Sequence, residues 1–359
     1  MEYGYGLFKA SATDGCQFNV IKNCTVTLNR INGVAGNGNS PAGCKAIWMQ
    51  NALATSQTLA VSVTSVQGTN SYNSFYGNLL QNCNSGFVLM GSVSSFGSTI
   101  YDVGNDIGGL SAVTGNTIVN YGGGGTLVAA AVQATLQNGY RISNNTIISN
   151  NGSGVTHEGT LYGIYTITHQ NGNIQVNNNY VSLTTGTLNV WSYAIFNHEY
   201  TAPTLTTSVE MNNNTVTSCS VAGGGFYALT NNSSPSVITM TGNLVSNLQI
   251  PAANGLIALG WGKNGAYVVS NTITNVVSTH TNNSITAIRI ANPFTTTCTN
   301  NLIENITFSA NVGVSTIEGI KSDSKNFICS GNVVRNLSVP GTGSITGIKQ
   351  NLTWPNVAG

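Results

Sequence analysis

Gly242-Asn243-Leu244-Val245, Ser270-Asn271-Thr272-Ile273, Asn300-Asn301-Leu302-Ile303 and Gly331-Asn332-Val333-Val334 are four copies of one phrase, and their spacing decides the fold. The same phrase occurs earlier as Gly77-Asn78-Leu79-Leu80, Gly115-Asn116-Thr117-Ile118, Asn144-Asn145-Thr146-Ile147, Asn178-Asn179-Tyr180-Val181 and Asn213-Asn214-Thr215-Val216. From Asn116 onward the copies are 28 to 35 residues apart, within the range of repeat architectures that stack into a solenoid. Three residues before each anchor Asn stand Ile142, Val176, Met211, Met240, Val268, Cys298 and Cys329. Two residues after it stand Ile147, Val181, Val216, Val245, Ile273, Ile303 and Val334. Alternation along a strand places each column on one face.

A second phrase, a small residue followed by an aliphatic one, returns once per repeat: Gly163-Ile164, Ala194-Ile195, Ala228-Leu229, Gly255-Leu256, Ala287-Ile288, Gly319-Ile320 and Gly347-Ile348. Each repeat therefore holds three strands: one before the anchor Asn, one after it, and one at this phrase. The periods of 3.5 or 3.6 residues that helical repeats require are absent. A propeller blade would need a fourth strand. The expected fold is all-β: a right-handed single-stranded parallel β-helix of roughly ten rungs stacked about 4.8 Å apart. The anchor Asn is expected to serve the tight turn, where a positive φ is needed, and to form an amide ladder from rung to rung. A second column, Asn82, Asn120, Asn247, Asn275, Asn305 and Asn336, is expected to do the same.

Composition agrees with one body. Of 359 residues only 6% are charged and 41% are hydrophobic, and no segment changes character, so residues 1–359 read as a single domain. The hydrophobic residues are too many and too regularly spaced for a disordered chain. No apolar run approaches the ~20 residues of a spanning helix. A net charge of +1 supplies no footprint for nucleic acid. Met1 to Ala10 lack the pattern of a secretory leader, and the chain starts and stops inside the repeat, so a fragment of a longer secreted or cell-surface protein is expected. Residues 23–78 depart from the period: Ala46-Ile47 reads as the small–aliphatic phrase and Leu59 to Val66 as a strand, with a long loop or irregular early rungs between.

The pattern resembles the right-handed parallel β-helix repeat proteins of the pectate-lyase-like superfamily, and among them large secreted repeat proteins of Bacteroidetes-type bacteria with runs of the form N-N-x-I-x-N followed by G-I. The resemblance covers roughly Asn78 to Gln350. It implies that the small–aliphatic phrase is the first strand of a rung and that the Asn turn joins the second and third. It also implies that any active site lies outside that first strand, under the flanking loops. Lyases of the superfamily use Ca²⁺ held by Asp with an Arg or Lys base, and its hydrolases use a close set of Asp.

Few residues here could supply such chemistry. Asp102 and Asp106 are a close acidic pair, read as turn residues beside Gly104 and Gly109. His157-Glu158 and His198-Glu199 could form acid–base couples, but adjacent strand residues face opposite ways, so they read as exposed loop residues. There is no CxxC for zinc, and no metal or cofactor is expected. Seven Cys, an odd number, are not a disulfide framework; Cys298 and Cys329 are expected to stack in the core as free thiols. The outward position after each small–aliphatic phrase gives Tyr165, Phe196, Thr230, Arg289, Lys321 and Lys349, aromatic at one end and basic at the other, with Glu318 balancing charge beside Lys321. Aromatic rings stack on sugar rings and bases bind acidic sugars. The leading expectation is a non-catalytic scaffold binding polysaccharide or a cell-surface glycan through Tyr165, Phe196, Arg289, Lys321 and Lys349. The alternatives are a polysaccharide lyase or glycoside hydrolase using Asp102, Asp106, Glu158 or Glu199, and a structural, tailspike-like fibre. The sequence does not set the oligomeric state.

Overall fold

The computed structural model describes residues 2–30, 43–91, 100–123, 128–150, 156–167, 172–186, 191–198, 207–233, 235–260, 265–278, 280, 282–292, 294–309 and 314–351. They form a parallel β-solenoid with three main sheets of 12, 10 and 12 strands, in which, apart from one antiparallel strand in the first sheet, strands pair in parallel with their counterparts in neighbouring repeats. The first sheet runs from Tyr3–Lys9 to Ser344–Gln350 and holds the small–aliphatic phrases. The second runs from Val20–Lys22 to Asn326–Ser330, and the third from Thr25–Thr27 to Val333–Ser338. No helix of the described residues is long and apolar enough to cross a membrane.

One apolar core threads the stack. The column before the anchor (Ile142, Val176, Met211, Met240, Val268 and Cys298) and the column after it (Ile147, Val181, Val216, Val245, Ile273 and Ile303) are all buried in it. Each aliphatic so buried contributes roughly 1.5–3 kcal/mol. Like residues lie over like, as the register pairs Val268↔Cys298 and Ile273↔Ile303 show.

The turn between the second and third sheets divides its work between two adjacent residues, where the sequence suggested one. The residue before the anchor takes the left-handed backbone: Asn144, Asn178, Asn213, Gly242, Ser270, Asn300 and Gly331 have φ between 54° and 67°. Small or amide side chains at that position follow from the steric cost of a Cβ there. The anchor itself builds the ladder. The amide Nδ2 of Asn243 donates to Oδ1 of Asn271 (2.8 Å), that of Asn271 to Asn301 (2.9 Å), and that of Asn301 to Asn332 (2.9 Å). The series begins at Asn78 and passes through Asn116, Asn145, Asn179 and Asn214. At the first rung Cys24 stands in the anchor's place and joins the ladder through its backbone N–H, which donates to Asn78 Oδ1.

The second amide column works in the opposite way. Asn82, Asn120, Asn247, Asn275, Asn305 and Asn336 are themselves left-handed, with φ of 52° to 55°. Asn247, Asn275, Asn305 and Asn336 join side chain to side chain over 3.1–3.3 Å at the surface. Each bends its strand, so that Val276 and Ile306, one residue on, turn back into the core.

The small–aliphatic phrase marks a break in alternation. Ala194 and Ile195, Ala228 and Leu229, and Ala287 and Ile288 are consecutive, yet both members of each pair lie in the core. The first member must be small because it faces inward against the next rung: a Cβ on Gly163 would sit 2.4 Å from the Ala194 carbonyl oxygen. At one rung the expected phrase is displaced by a residue. Gly255 is left-handed (φ 110°), the register shifts between Asn254 and Ile257, and it is Ile257 that aligns with Leu229 and Ile288.

In the early rungs, Lys45–Leu53 belongs to the first sheet and is joined by an antiparallel strand, Ser56–Ala60. The strand expected over Leu59 to Val66 is therefore present only at its start, and a short 3₁₀ turn, Val66–Gly68, follows.

All seven cysteines are free. Cys298 and Cys329 are register partners on neighbouring strands; Cys298 is in the core, where burial pushes its thiol up to about 12, whereas Cys329, also expected there, is only half-buried because its strand is the last of the second sheet. Parallel side chains one rung apart do not converge as a bridge requires. Intact-mass measurement of the unreduced protein should therefore show no two-hydrogen shift on reduction mapped to this pair.

Candidate functional site

The outward column of the first sheet is one continuous register. Tyr165 pairs with Phe196, Phe196 with Thr230, Thr230 with Ala258, Ala258 with Arg289, Arg289 with Lys321 and Lys321 with Lys349. Ala258 is a member that the sequence did not place, because the irregularity at Gly255 displaces its phrase.

A second outward column lies beside it. Since two residues face inward at the small–aliphatic phrase, positions three apart emerge on the same side. Tyr162 and Tyr193 therefore lie beside Tyr165 and Phe196, and Tyr227 lies beside Thr230. The rings stack in a lattice: Tyr162–Tyr165 at 4.3 Å, Tyr193–Phe196 at 4.6 Å, Tyr193–Tyr227 at 5.0 Å and Tyr165–Phe196 at 5.7 Å, all within 20° of parallel. His198 continues it on Phe196 at 5.3 Å, and Trp191 leans on Tyr227 at 5.8 Å. Gly225 leaves room for the Trp191 ring, which a Cβ there would meet at 2.6 Å. Such pairs contribute roughly 0.5–1.5 kcal/mol beyond their buried area, so the lattice stiffens the sheet as well as forming its surface. Burial, then the neighbouring Tyr162 and Tyr227, raises the Tyr193 phenol. Burial lowers the His198 imidazole.

The lattice ends in an open cleft of about 250 Å³. Tyr193, Phe196 and Tyr227 form one wall, Asn232 and Asn254 supply amides, and Arg289 closes the far side; the Asn231 side chain behind them is fully buried and bonded to Asn197 and Ser233. Arg289 donates to Asn254 Oδ1. The Tyr227 phenol is raised by burial and held back by the Arg289 charge and by Asn254. Thr230 lies on the floor, and its Oγ1 has no hydrogen-bond partner among the described residues. Among the described residues no carboxylate lines the cleft.

The expected ligand-binding residues thus fall into three settings. Tyr165, expected as an exposed platform, is only 4% exposed, because it lies beneath Tyr162 and beside Phe196. Phe196 and Arg289 line the cleft. Lys321 and Lys349 stand beyond it and are engaged by Glu318: Lys321 Nζ lies 2.9 Å from Oε2 and Lys349 Nζ 3.8 Å from Oε1. Burial opposes ionisation of Glu318, but hydrogen bonds from Lys321 and Thr286 and both lysine charges outweigh it and hold the carboxyl below its ordinary value. Arg289 has no carboxylate partner among the described residues.

The acidic candidates are dispersed. Asp102 is not a turn residue. It lies fully buried in a short strand, 4.0 Å from the equally buried Lys9 Nζ, and accepts from the Asn70 N–H and from Gln137. Asp106 does cap the Gly109 N–H, as a turn residue would (3.0 Å), but it also binds Arg141 and the Tyr76 hydroxyl, both at 2.9 Å. His157 is buried rather than exposed. Its Nδ1 accepts the Gly123 N–H, and its Nε2 faces the Thr160 carbonyl, which fixes the proton on Nε2. Glu158 is exposed, and Glu199 lies outside the described residues. Among the described residues no three His, Cys, Asp or Glu side chains converge as a metal site.

Comparison of the chain with protein-family models, with curated proteins and with solved structures finds no match in any of the three.

Proposed function

We propose that this protein is a non-catalytic β-helix scaffold of a secreted or cell-surface setting, and that it binds carbohydrate through the outer face of its first sheet. The observation that carries the proposal is the cleft in which a wall of stacked aromatic rings meets two amides, Asn232 and Asn254, and an arginine without a carboxylate partner among the described residues. A sugar presents apolar C–H faces and a rim of hydroxyls. Flat rings match the first, and amides and a guanidinium match the second. Cleavage by general acid–base chemistry needs carboxylates positioned across the bond, and the described residues of the cleft wall include none. The lattice beneath gives the cleft the rigidity that keeps ordering costs low on binding.

The test is Tyr227→Ala combined with Arg289→Ala. Retardation in native gels containing hydroxyethylcellulose or polygalacturonate should weaken at least about tenfold, equivalent to about 1.4 kcal/mol, with the circular-dichroism spectrum retained and the melting temperature lowered by only a few degrees through the lost ring contacts of Tyr227. Unchanged retardation of the double variant would remove the cleft from the binding site. An unaltered protein that no glycan retards would favour a structural fibre.

A further inference from the structure

We propose that the stacked rings of Phe18 and Tyr72 form a second carbohydrate platform, at the corner between the first and second sheets. The proposal rests on the carbohydrate reading above only for the class of ligand. The residues belong to neither the cleft nor its lattice.

The corner is built at a conformational cost. Of the 17 non-glycine residues at positive φ among those described, twelve are Asn and two are Ser, the types that tolerate the left-handed region. Phe18 (φ 56°) and Tyr72 (φ 59°) are bulky exceptions, with Leu136 the third. A backbone that disfavours them holds both rings outward: Phe18 is 70% exposed and Tyr72 46% exposed. Strain retained at an exposed site is a mark of use rather than of packing, because neither ring fills the core.

The platform is also built from below. The Phe18 N–H donates to the Ser71 carbonyl, the Tyr72 N–H to Val103, and the Gly104 N–H to Asn138, so the three corners stack in register. The two rings lie 5.1 Å apart and within 10° of parallel. Beneath them Gly104 has no side chain, and a Cβ there would come within 2.7 Å of the Tyr72 ring. The free face of Phe18 is thus a flat apolar surface; the next residue, Asn19, is exposed, and its Nδ2 donates to Asn73 Oδ1 and to the Gln17 carbonyl. Its extent suits one or two sugar rings and is far below the ~800 Å² that a stable protein partner covers. Aromatic faces stack on the C–H faces of a pyranose. With strands about 4.8 Å apart, the corner and the cleft lie several rungs from each other along the axis, so one long polysaccharide can engage both.

The experiment compares Phe18→Asn/Tyr72→Asn with the unaltered protein in gels containing hydroxyethylcellulose or polygalacturonate, and by thermal unfolding. Asparagine suits the left-handed backbone, so the melting temperature should stay level or rise by about 2–4 °C, while retardation weakens at least about threefold. Tyr72→Phe, which keeps the ring, should bind as the unaltered protein does. A lowered melting temperature with unchanged retardation would assign the rings to packing and overturn the proposal, as would an unaltered protein that neither polymer retards. Run beside it, Tyr227→Ala/Arg289→Ala separates the two readings. Loss in that variant with none in the corner variant overturns the corner alone. Loss in the corner variant with none in the other supports the corner and sinks the cleft.

Discussion

Replacing Asn271 with leucine should lower stability by roughly 3–5 kcal/mol. The side chain is nearly fully buried and makes four hydrogen bonds. Its Oδ1 accepts the backbone N–H and the Nδ2 of Asn243 (2.9 and 2.8 Å), and its Nδ2 donates to Asn301 Oδ1 and to the Met240 carbonyl (2.9 and 2.8 Å). Leucine fills the volume but orphans the Asn243 N–H and removes one partner from each of the other groups, in a dry interior where each unmet group costs about 1–3 kcal/mol. Asn275 is the matched control: an exposed, left-handed Asn whose ladder bonds face solvent. Asn275→Gly should cost less than about 1 kcal/mol. Urea unfolding of the two variants checks the contrast. Equal midpoints would mean that the buried ladder holds nothing the surface one does not.

Stability between pH 4.5 and 6.5 should be nearly flat in the unaltered protein and should tilt in opposite directions in two variants. Burial raises the Asp102 carboxyl to about 6 from an ordinary 3.8, against the pull of Lys9, the Asn70 N–H and Gln137. The native state therefore holds a proton that the unfolded chain has released, and stability grows as pH falls from about 6 toward 4. Burial lowers the His157 imidazole to about 4 from 6.5. There the unfolded chain binds the proton first, and stability is lost over almost the same window. Each shift spans about two pH units, or about 3 kcal/mol, and the two oppose each other. Glu318, held below its ordinary value, loses its contribution only in more acid solution. Asp102→Asn should thus expose the histidine, with the urea midpoint falling steadily below pH 6.5. His157→Gln should expose the carboxylate, with the midpoint rising as the solution is acidified. Parallel pH profiles for the unaltered protein and Asp102→Asn would contradict the assignment.

What the sequence revealed, and what it hid, follows from which features repeat. The ladder Asn, its flanking aliphatic columns and, Ala258 excepted, the outward column from Tyr165 to Lys349 recur once per rung, so spacing alone places them. The left-handed role was assigned to the anchor instead of the residue before it because both positions are often Asn, as in Asn300-Asn301. Tyr162, Tyr193, Tyr227 and Trp191 went unnoticed for a different reason. Strict alternation sends residues three apart to opposite faces, and only the paired inward residues at the small–aliphatic phrase bring them to the face of Phe196. The signal was present in the sequence as Tyr-x-x-Tyr and Tyr-x-x-Phe straddling Gly163-Ile164 and Ala194-Ile195. Lys9 and Asp102 could not be joined from the sequence, since they meet outside the regular period. His157 read as a loop residue because nothing in its surroundings shows that Gly122 and Gly123 pack against it.

The most direct test of the central claim, binding without cleavage, is to incubate the protein for a day with the polymer that retards it best and then to measure both retention and polymer length. The account predicts that polymer is retained by the unaltered protein, with chain length unchanged and no new reducing ends. The appearance of new reducing ends, or of unsaturated products absorbing in the ultraviolet, would contradict it and make the protein an enzyme.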